Sequence, residues 1–264
     1  MLFSQYIDNL AQQSKLFFTL SDTQSALNKS MGAIRSSIVH LVAKKRIVKI
    51  VNGFYIIVPQ EYKAYGCLPP EKFLPDLMIY LGYNYYIGSL TAAMYHGASH
   101  QSPQIYHAII NKKRPTILTC GKFEVHFLIK KDFSSTYTQN RLLKETILKI
   151  SIPESTAFDL LLYPKASGGI NHIATVLDEL KDSMDLATFK KVTESQPKLS
   201  CKQRLGYILE FIGAIDLASI IYENLLAYPR IPYIALSPRN KVDSSTKKNL
   251  KWRILENLEI ESDI

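Results

Sequence analysis

A chain of 264 residues and 30.0 kDa, 47% hydrophobic and 21% charged, carries enough apolar material for a buried core, which excludes a wholly disordered chain; the length suits one large domain or two smaller ones. With 32 Lys and Arg against 23 Asp and Glu the formal charge is +9 and the pI about 9.3, a basic balance that by itself does not separate nucleic-acid binding from solubility. No apolar run approaches the roughly 18 residues of a membrane helix, the N-terminus lacks the pattern of a secretory signal, and Cys67, Cys120 and Cys201 fit neither a disulfide framework nor a zinc cluster, so the expectation is a soluble cytoplasmic protein with no membrane partner.

Phe3, Tyr6, Ile7 and Leu10 recur at helical spacing, and Phe17-Phe18-Thr19 reads as a short extended linker. Ser21 with Gln24 three residues later predicts a capping box opening a short helix that ends near Leu27. After the turn Asn28-Lys29-Ser30, Ile34, Ile38, Leu41 and Val42 predict a second helix with one apolar face, running into Lys44-Lys45-Arg46. Asn52-Gly53 between two β-branched and aromatic runs predicts a hairpin whose type I′ turn has φ positive at both residues. Helix, short helix, turn, helix, hairpin is the order of a winged helix-turn-helix. A segment of this size could fold alone, with residues 59–70 as linker, giving predicted domains at 1–65 and 66–264.

The remainder reads as α+β. Leu74 to Leu81 and Leu90 to Tyr95 are helical candidates, Phe123 to Ile129 alternates as a strand turned back by Cys120-Gly121-Lys122 onto Thr116 to Thr119, and Glu145 to Ile152 offers another strand. After Pro153 the periodicity turns helical, at Ile170 to Leu180, Leu205 to Ile212 and Leu217 to Leu225.

Charge singles out the first segment. Lys15, Lys29, Arg35, Lys44, Lys45, Arg46 and Lys49 face only Asp8 and Asp22, so more than half of the net charge lies within residues 1–60. Opposite the apolar face of the second helix lie Lys29, Gly32, Ser36 and His40, flanked by Arg35 and Ser37. Such a face is slim enough to reach base edges, and Arg35, Ser36 and His40 are the expected base contacts. Lys44, Lys45, Arg46 and Lys49 fall where a helix end and wing would meet phosphates, with Asn52 at the wing turn completing the candidate set. The bland alternative is a solvated helix face beside a structural hairpin. A second basic stretch, +6 over residues 111–149, extends the DNA track, meets an acidic or RNA partner, or is a solvated strand face.

Catalytic signatures are sought without success, so no catalytic residue, metal or cofactor is expected. Ser167-Gly168-Gly169 lacks the Walker spacing, and Gly88-Ser89 has no Asp-x-Asp downstream. Glu124-Val125-His126 is not the Glu-x-Lys of a nuclease strand. His96 and His100 have metal-ligand spacing but sit by a helix end, and Asp178, Glu179, Asp182 and Asp185 read as a solvated acidic face.

Phe18-Thr19 through Ala33-Ile34-Arg35, Leu41, Lys44-Lys45, Gly53-Phe54-Tyr55 and Pro59 resemble the N-terminal winged helix of the AbiEi antitoxins of abortive-infection type IV toxin-antitoxin systems. The resemblance continues in Tyr85-Tyr86-Ile87-Gly88 with Ala92-Ala93 and His96-Gly97, in Ile152 to Ala157 with Asp159-Leu160-Leu161, in Arg204-Leu205-Gly206-Tyr207, and in Trp252, Asn257 and Asp263. Arg46 stands where the family often has glycine, and Asn52 where it often has arginine, which shifts expectation from minor-groove insertion by the wing to backbone contact by Arg46. The resemblance implies a non-enzymatic bacterial repressor that binds its own double-stranded operator DNA through the winged helix. A larger mixed α/β C-terminal domain, helical toward its end, would antagonise a nucleotidyltransferase-like toxin. A nucleic-acid-modifying enzyme with a winged-helix targeting module, or a stand-alone effector-responsive regulator, are the alternatives.

Overall fold

The computed structural model describes residues 1–98, 105–113, 115–143 and 146–261, and over these it is a mixed α+β fold of ten α-helices and three sheets. The chain opens with α1 (Phe3–Gln12), β1 (Phe17–Thr19), α2 (Leu20–Leu27), α3 (Met31–Ala43), β2 (Ile47–Val51) and β3 (Phe54–Ile57). The three strands form an antiparallel sheet in the order β1-β3-β2.

Three local expectations need correcting. Phe17 to Thr19 is a strand rather than a linker, because it pairs with Ile56 to Phe54 across β3. The helix behind it is therefore capped by Thr19, not Ser21: Thr19 Oγ1 accepts the Asp22 N–H at 3.1 Å, and the Asp22 carboxylate accepts the Thr19 N–H at 3.0 Å. At the hairpin turn Gly53 alone has positive φ, 84°, so the turn is not type I′; a register shift between Lys49 and Val51 absorbs the twist, and the Tyr80 hydroxyl donates to the Asn52 carbonyl at 3.0 Å. Tyr80 Oη also occupies the space a Gly53 side chain would need.

β3 has no solvent face. Tyr55 and Ile57 pack with Phe3, Ile7, Phe18, Ile34, Ile38 and Leu41, whereas Phe54 and Ile56, both fully buried, join a second core with Leu74, Leu77 and Met78. The first core is built wholly from residues within the first 60, while Phe54 and Ile56 tie that segment to the second core. The expected apolar face of α3 is formed by Ile34, Ile38 and Leu41, while Val42 is 38% exposed.

The second core is built on α4 (Leu74–Leu81), β4 (Tyr85–Ile87), α5 (Ser89–Tyr95), β5 (Ile105–Ile110), β6 (Ile117–Cys120), β7 (Phe123–Ile129), β8 (Thr138–Leu143) and β9 (Thr146–Ser151). Its strands make a mixed six-stranded sheet in the order β6-β7-β5-β4-β9-β8. A third core gathers α6 (Pro153–Leu162), α7 (Ile170–Leu180), α8 (Leu186–Ser195), α9 (Leu199–Phe211) and α10 (Ile215–Leu226). A small sheet follows, with β10 (Ile234–Ala235) parallel and β11 (Lys247–Asn249) antiparallel to β12 (Ile254–Glu256). Among the described residues no helix is long and apolar enough to cross a membrane.

Cys67 and Cys120 form a disulfide, 53 residues apart in sequence with Cα atoms 5.6 Å apart, which corrects the expectation that the cysteines make no such bond. Two glycines let the backbones meet. Gly121, at φ 58°, sits so close to the 65–67 segment that a Cβ would lie 2.8 Å from Gly66 C and 2.9 Å from Cys67 N, and the Lys122 N–H donates to the Tyr65 carbonyl at 2.8 Å.

A second close approach holds the C-terminal segment. Trp252, fully buried, packs against α9 at Gly206, where a Cβ would come within 2.7 Å of Cε3 and nearer still to Cζ3. Beside it Gln203 Nε2 donates to the Pro232 and Trp252 carbonyls at 2.9 and 3.1 Å, and Arg204 Nε to the Leu236 carbonyl at 3.0 Å. Asn257 exchanges two bonds of 2.9 Å with the Ser237 backbone.

Candidate nucleic-acid interface

α3 begins at Ser30, whose Oγ accepts the Ala33 N–H at 3.4 Å, and with one face committed to the first core it turns Gly32, Arg35, Ser36, Val39, His40, Val42 and Ala43 outward. Of the expected base contacts, Arg35, Ser36 and His40 are thus exposed on one continuous face. Ser37 is not part of it: half-buried, its hydroxyl donates back to the Ala33 carbonyl at 2.9 Å, which removes its donor from the surface. Lys29 is exposed just before the helix, Lys44 and Lys45 just after it, and Lys49 and Asn52 along the hairpin. Arg46 differs from the others, because its guanidinium is ion-paired with Asp8 of α1 and joins the helix end to the first core.

Both carboxylates of the first 60 residues are therefore engaged, Asp8 by Arg46 and Asp22 by the α2 cap. The surface around α3 is left with cations and no compensating anion from this segment. Val39 is the feature of this face that sequence reasoning assigned to no role, although it is out of phase with Ile34, Ile38 and Leu41; Val42, expected on the apolar face, is exposed beside it.

The second basic stretch is dispersed. Lys122, in the turn between β6 and β7, lies over the Tyr65 ring at 5.9 Å, and Arg141, on β8 at the other end of the six-stranded sheet, over the Tyr95 ring at 5.9 Å; Lys130 points inward, and Arg114 and Lys144 lie outside the described residues. Several of the groups weighed as catalytic signatures make structural contacts. His96 Nε2 meets the Ser151 carbonyl at 2.7 Å, with burial holding the ring pKa down, so the neutral ring donates; its expected companion His100 lies outside the described residues. Asp178 pairs with Lys181, and Asp185 caps α8 by accepting the Thr188 N–H at 2.8 Å, which lowers its pKa. Ser89, at φ 54°, and Ser167 are both buried and share a hydrogen bond of 3.0 Å. Among the described residues no three His, Cys, Asp or Glu converge as metal ligands.

One buried charge stands out away from α3. Asp159 is 1% exposed, accepts the Tyr86 hydroxyl at 3.0 Å, lies 3.8 Å from Lys130 Nζ, and has no hydrogen-bond partner for Oδ2 among the described residues. Desolvation outweighs the attraction of Lys130 at that distance, so the carboxyl titrates near 6. A raised acid pKa means that the folded chain binds more protons than the unfolded one between about 4 and 6, so this group makes stability fall as pH rises through that window. His107 works the other way: burial, then the neighbouring His126, bring it down to about 4, so it makes stability fall as pH drops from 6.5. Asp159→Asn is accordingly expected to lose stability more steeply than the parent on acidification from pH 6 to 4, read as urea midpoints at each pH; parallel profiles would contradict the assignment.

Residues 86–211 match the family model of the AbiEi antitoxin C-terminal domain. No curated protein matches the chain. Among solved structures the chain is similar to the RV2827C protein from Mycobacterium tuberculosis, with a TM-score of 0.67 and 15% identity over 96% of this chain and 90% of that one, a likeness of fold. The matched segment holds the contacts described above, from Tyr86 on β4 and His96 after α5 through Asp159 on α6 to Gly206 on α9. Over residues 86–211, the chain matches the C-terminal domain of the AbiEi antitoxin family.

Proposed function

We propose that the chain is a DNA-binding repressor and antitoxin without enzymatic activity. In this reading residues 1–65 are a winged helix that binds the operator of its own gene, and residues 66–264 antagonise a nucleotidyltransferase-like toxin. The observation that carries the DNA-binding half is the exposed α3 face, with Arg35, Ser36 and His40 beside the exposed cations Lys29, Lys44, Lys45 and Lys49 while both local carboxylates are engaged. The order of three helices and a three-stranded antiparallel sheet supports α3 as the groove-entering helix. The family of residues 86–211 supports the antitoxin half.

Salt titration of the full chain on its upstream DNA tests this. With four lysines neutralising phosphates, log K against log salt is expected to fall with a slope of about −3 to −4, since each phosphate contact releases about 0.9 counterion. Lys45→Ala should flatten the slope by about one unit and weaken operator and random duplex alike, whereas Arg35→Ala should weaken the operator selectively. Absence of any preference for the upstream DNA over random duplex would overturn the repressor assignment.

One observation favours an effector-responsive regulator as a second reading. A cavity of about 430 Å3 lies between Leu16 and Phe17 on one side and Tyr62, Glu71, Asp76 and Tyr95 on the other. A nucleotidyltransferase gene adjoining this one would favour the antitoxin reading over it.

A further inference from the structure

Beside α3 runs a groove of about 500 Å3 whose walls include Arg35, Val39, Val42, Lys49, Asn52 and Tyr55. Its floor is apolar and its rim cationic, and no carboxylate lines it. Val39 is 68% exposed and Val42 38% exposed, on a helix whose other outward positions are small, polar or charged. A single exposed valine is unremarkable. Two forming the wall of a concave surface between an arginine and a lysine ask for an occupant that is anionic overall and apolar at one point.

Duplex DNA meets that description in its major groove. Its backbone supplies the anions, and the one apolar group on its base edges there is the C5-methyl of thymine. We infer that Val39 is a specificity-determining residue that packs on a thymine methyl of the operator, with Val42 closing the far side of the contact; this rests on the DNA-binding reading above. Arg35 and Val39 are one helical turn apart, about 6 Å along the axis, which is about two base-pair steps. The thymine therefore lies within about two base pairs of the base that Arg35 addresses. Ser36 and His40, on the adjoining strip of the helix, reach the neighbouring polar edges.

The test uses the full chain and operator duplexes in which each thymine in turn is replaced by deoxyuridine, which removes only the methyl group. For the parent protein one or two replacements should weaken binding about three- to fivefold, the effect of one buried methyl. Val39→Ala should lose a similar factor on the thymine operator and show no further loss at those same positions, with affinity for random duplex unchanged. A Val39→Ala protein that binds the operator like the parent, or still senses the same methyl, overturns the assignment while leaving operator binding intact. A parent protein without operator preference overturns the DNA-binding reading and this inference together. If Val39→Glu instead converts a dimer to a monomer while the deoxyuridine profile is flat, the groove belongs to a second copy of the chain and the inference fails.

Discussion

Replacing Trp252 by alanine is expected to lower the stability of the chain by about 3–5 kcal/mol, the range for removing a large aromatic side chain from a packed interior. The indole is fully buried, meets Tyr222 edge-on with ring centres 5.7 Å apart, and seals the side of α9 that Gly206 leaves bare. Gly206→Ala should reach a similar end from the other side. Gly206 is in a regular helix, where alanine would ordinarily help by about 1 kcal/mol, but here its methyl has nowhere to go except into the indole. The two changes should be coupled. In the Gly206→Ala/Trp252→Ala double variant the new methyl enters the space the indole left, so the combined loss should fall short of the sum of the single losses. Urea unfolding of the four proteins measures this, and simple additivity would show that Gly206 and Trp252 do not share the contact.

The second large effect is expected from the bridge between Cys67 and Cys120. It closes a loop of 53 residues, and cross-linking a loop of that length removes enough freedom from the unfolded chain to stabilise the fold by about 4 kcal/mol. Reduction should therefore lower the urea midpoint of the parent substantially, while a Cys67→Ala/Cys120→Ala protein should start lower and be indifferent to reductant. A parent whose midpoint does not move with reductant would show that the bridge contributes nothing to the equilibrium.

What could be read from the sequence, and what could not, follows from how local each signal is. α3 and β7 were legible because their apolar positions repeat at the period of their own geometry, and the hairpin was legible from Asn52-Gly53 although its turn type was not. The turn is contacted from outside, by the hydroxyl of Tyr80 on the Asn52 carbonyl. β8 carries no alternation, since Thr138 to Leu143 is a mostly polar edge strand, and β1 is only three residues long; both exist because a partner strand is there to pair with them. The candidate interface shows the same division. The exposure of Arg35, Ser36 and His40 follows from helical periodicity, whereas the loss of Ser37 to its own backbone and of Arg46 to Asp8 depends on side-chain contacts that spacing does not reveal.

The scattered pieces of the family resemblance also acquire a physical meaning once folded. Tyr86 meets Asp159 at 3.0 Å, His96 meets Ser151 next to Ile152, and Gly206 meets Trp252. Separated by tens of residues along the chain, they are contact partners in the fold.

β3, with Tyr55 and Ile57 serving one core and Phe54 and Ile56 the next, makes the N-terminal unit a tenant of the larger body. A protease that cut the chain after residue 65 would strip the cover from Phe54 and Ile56, which are fully buried in the intact fold.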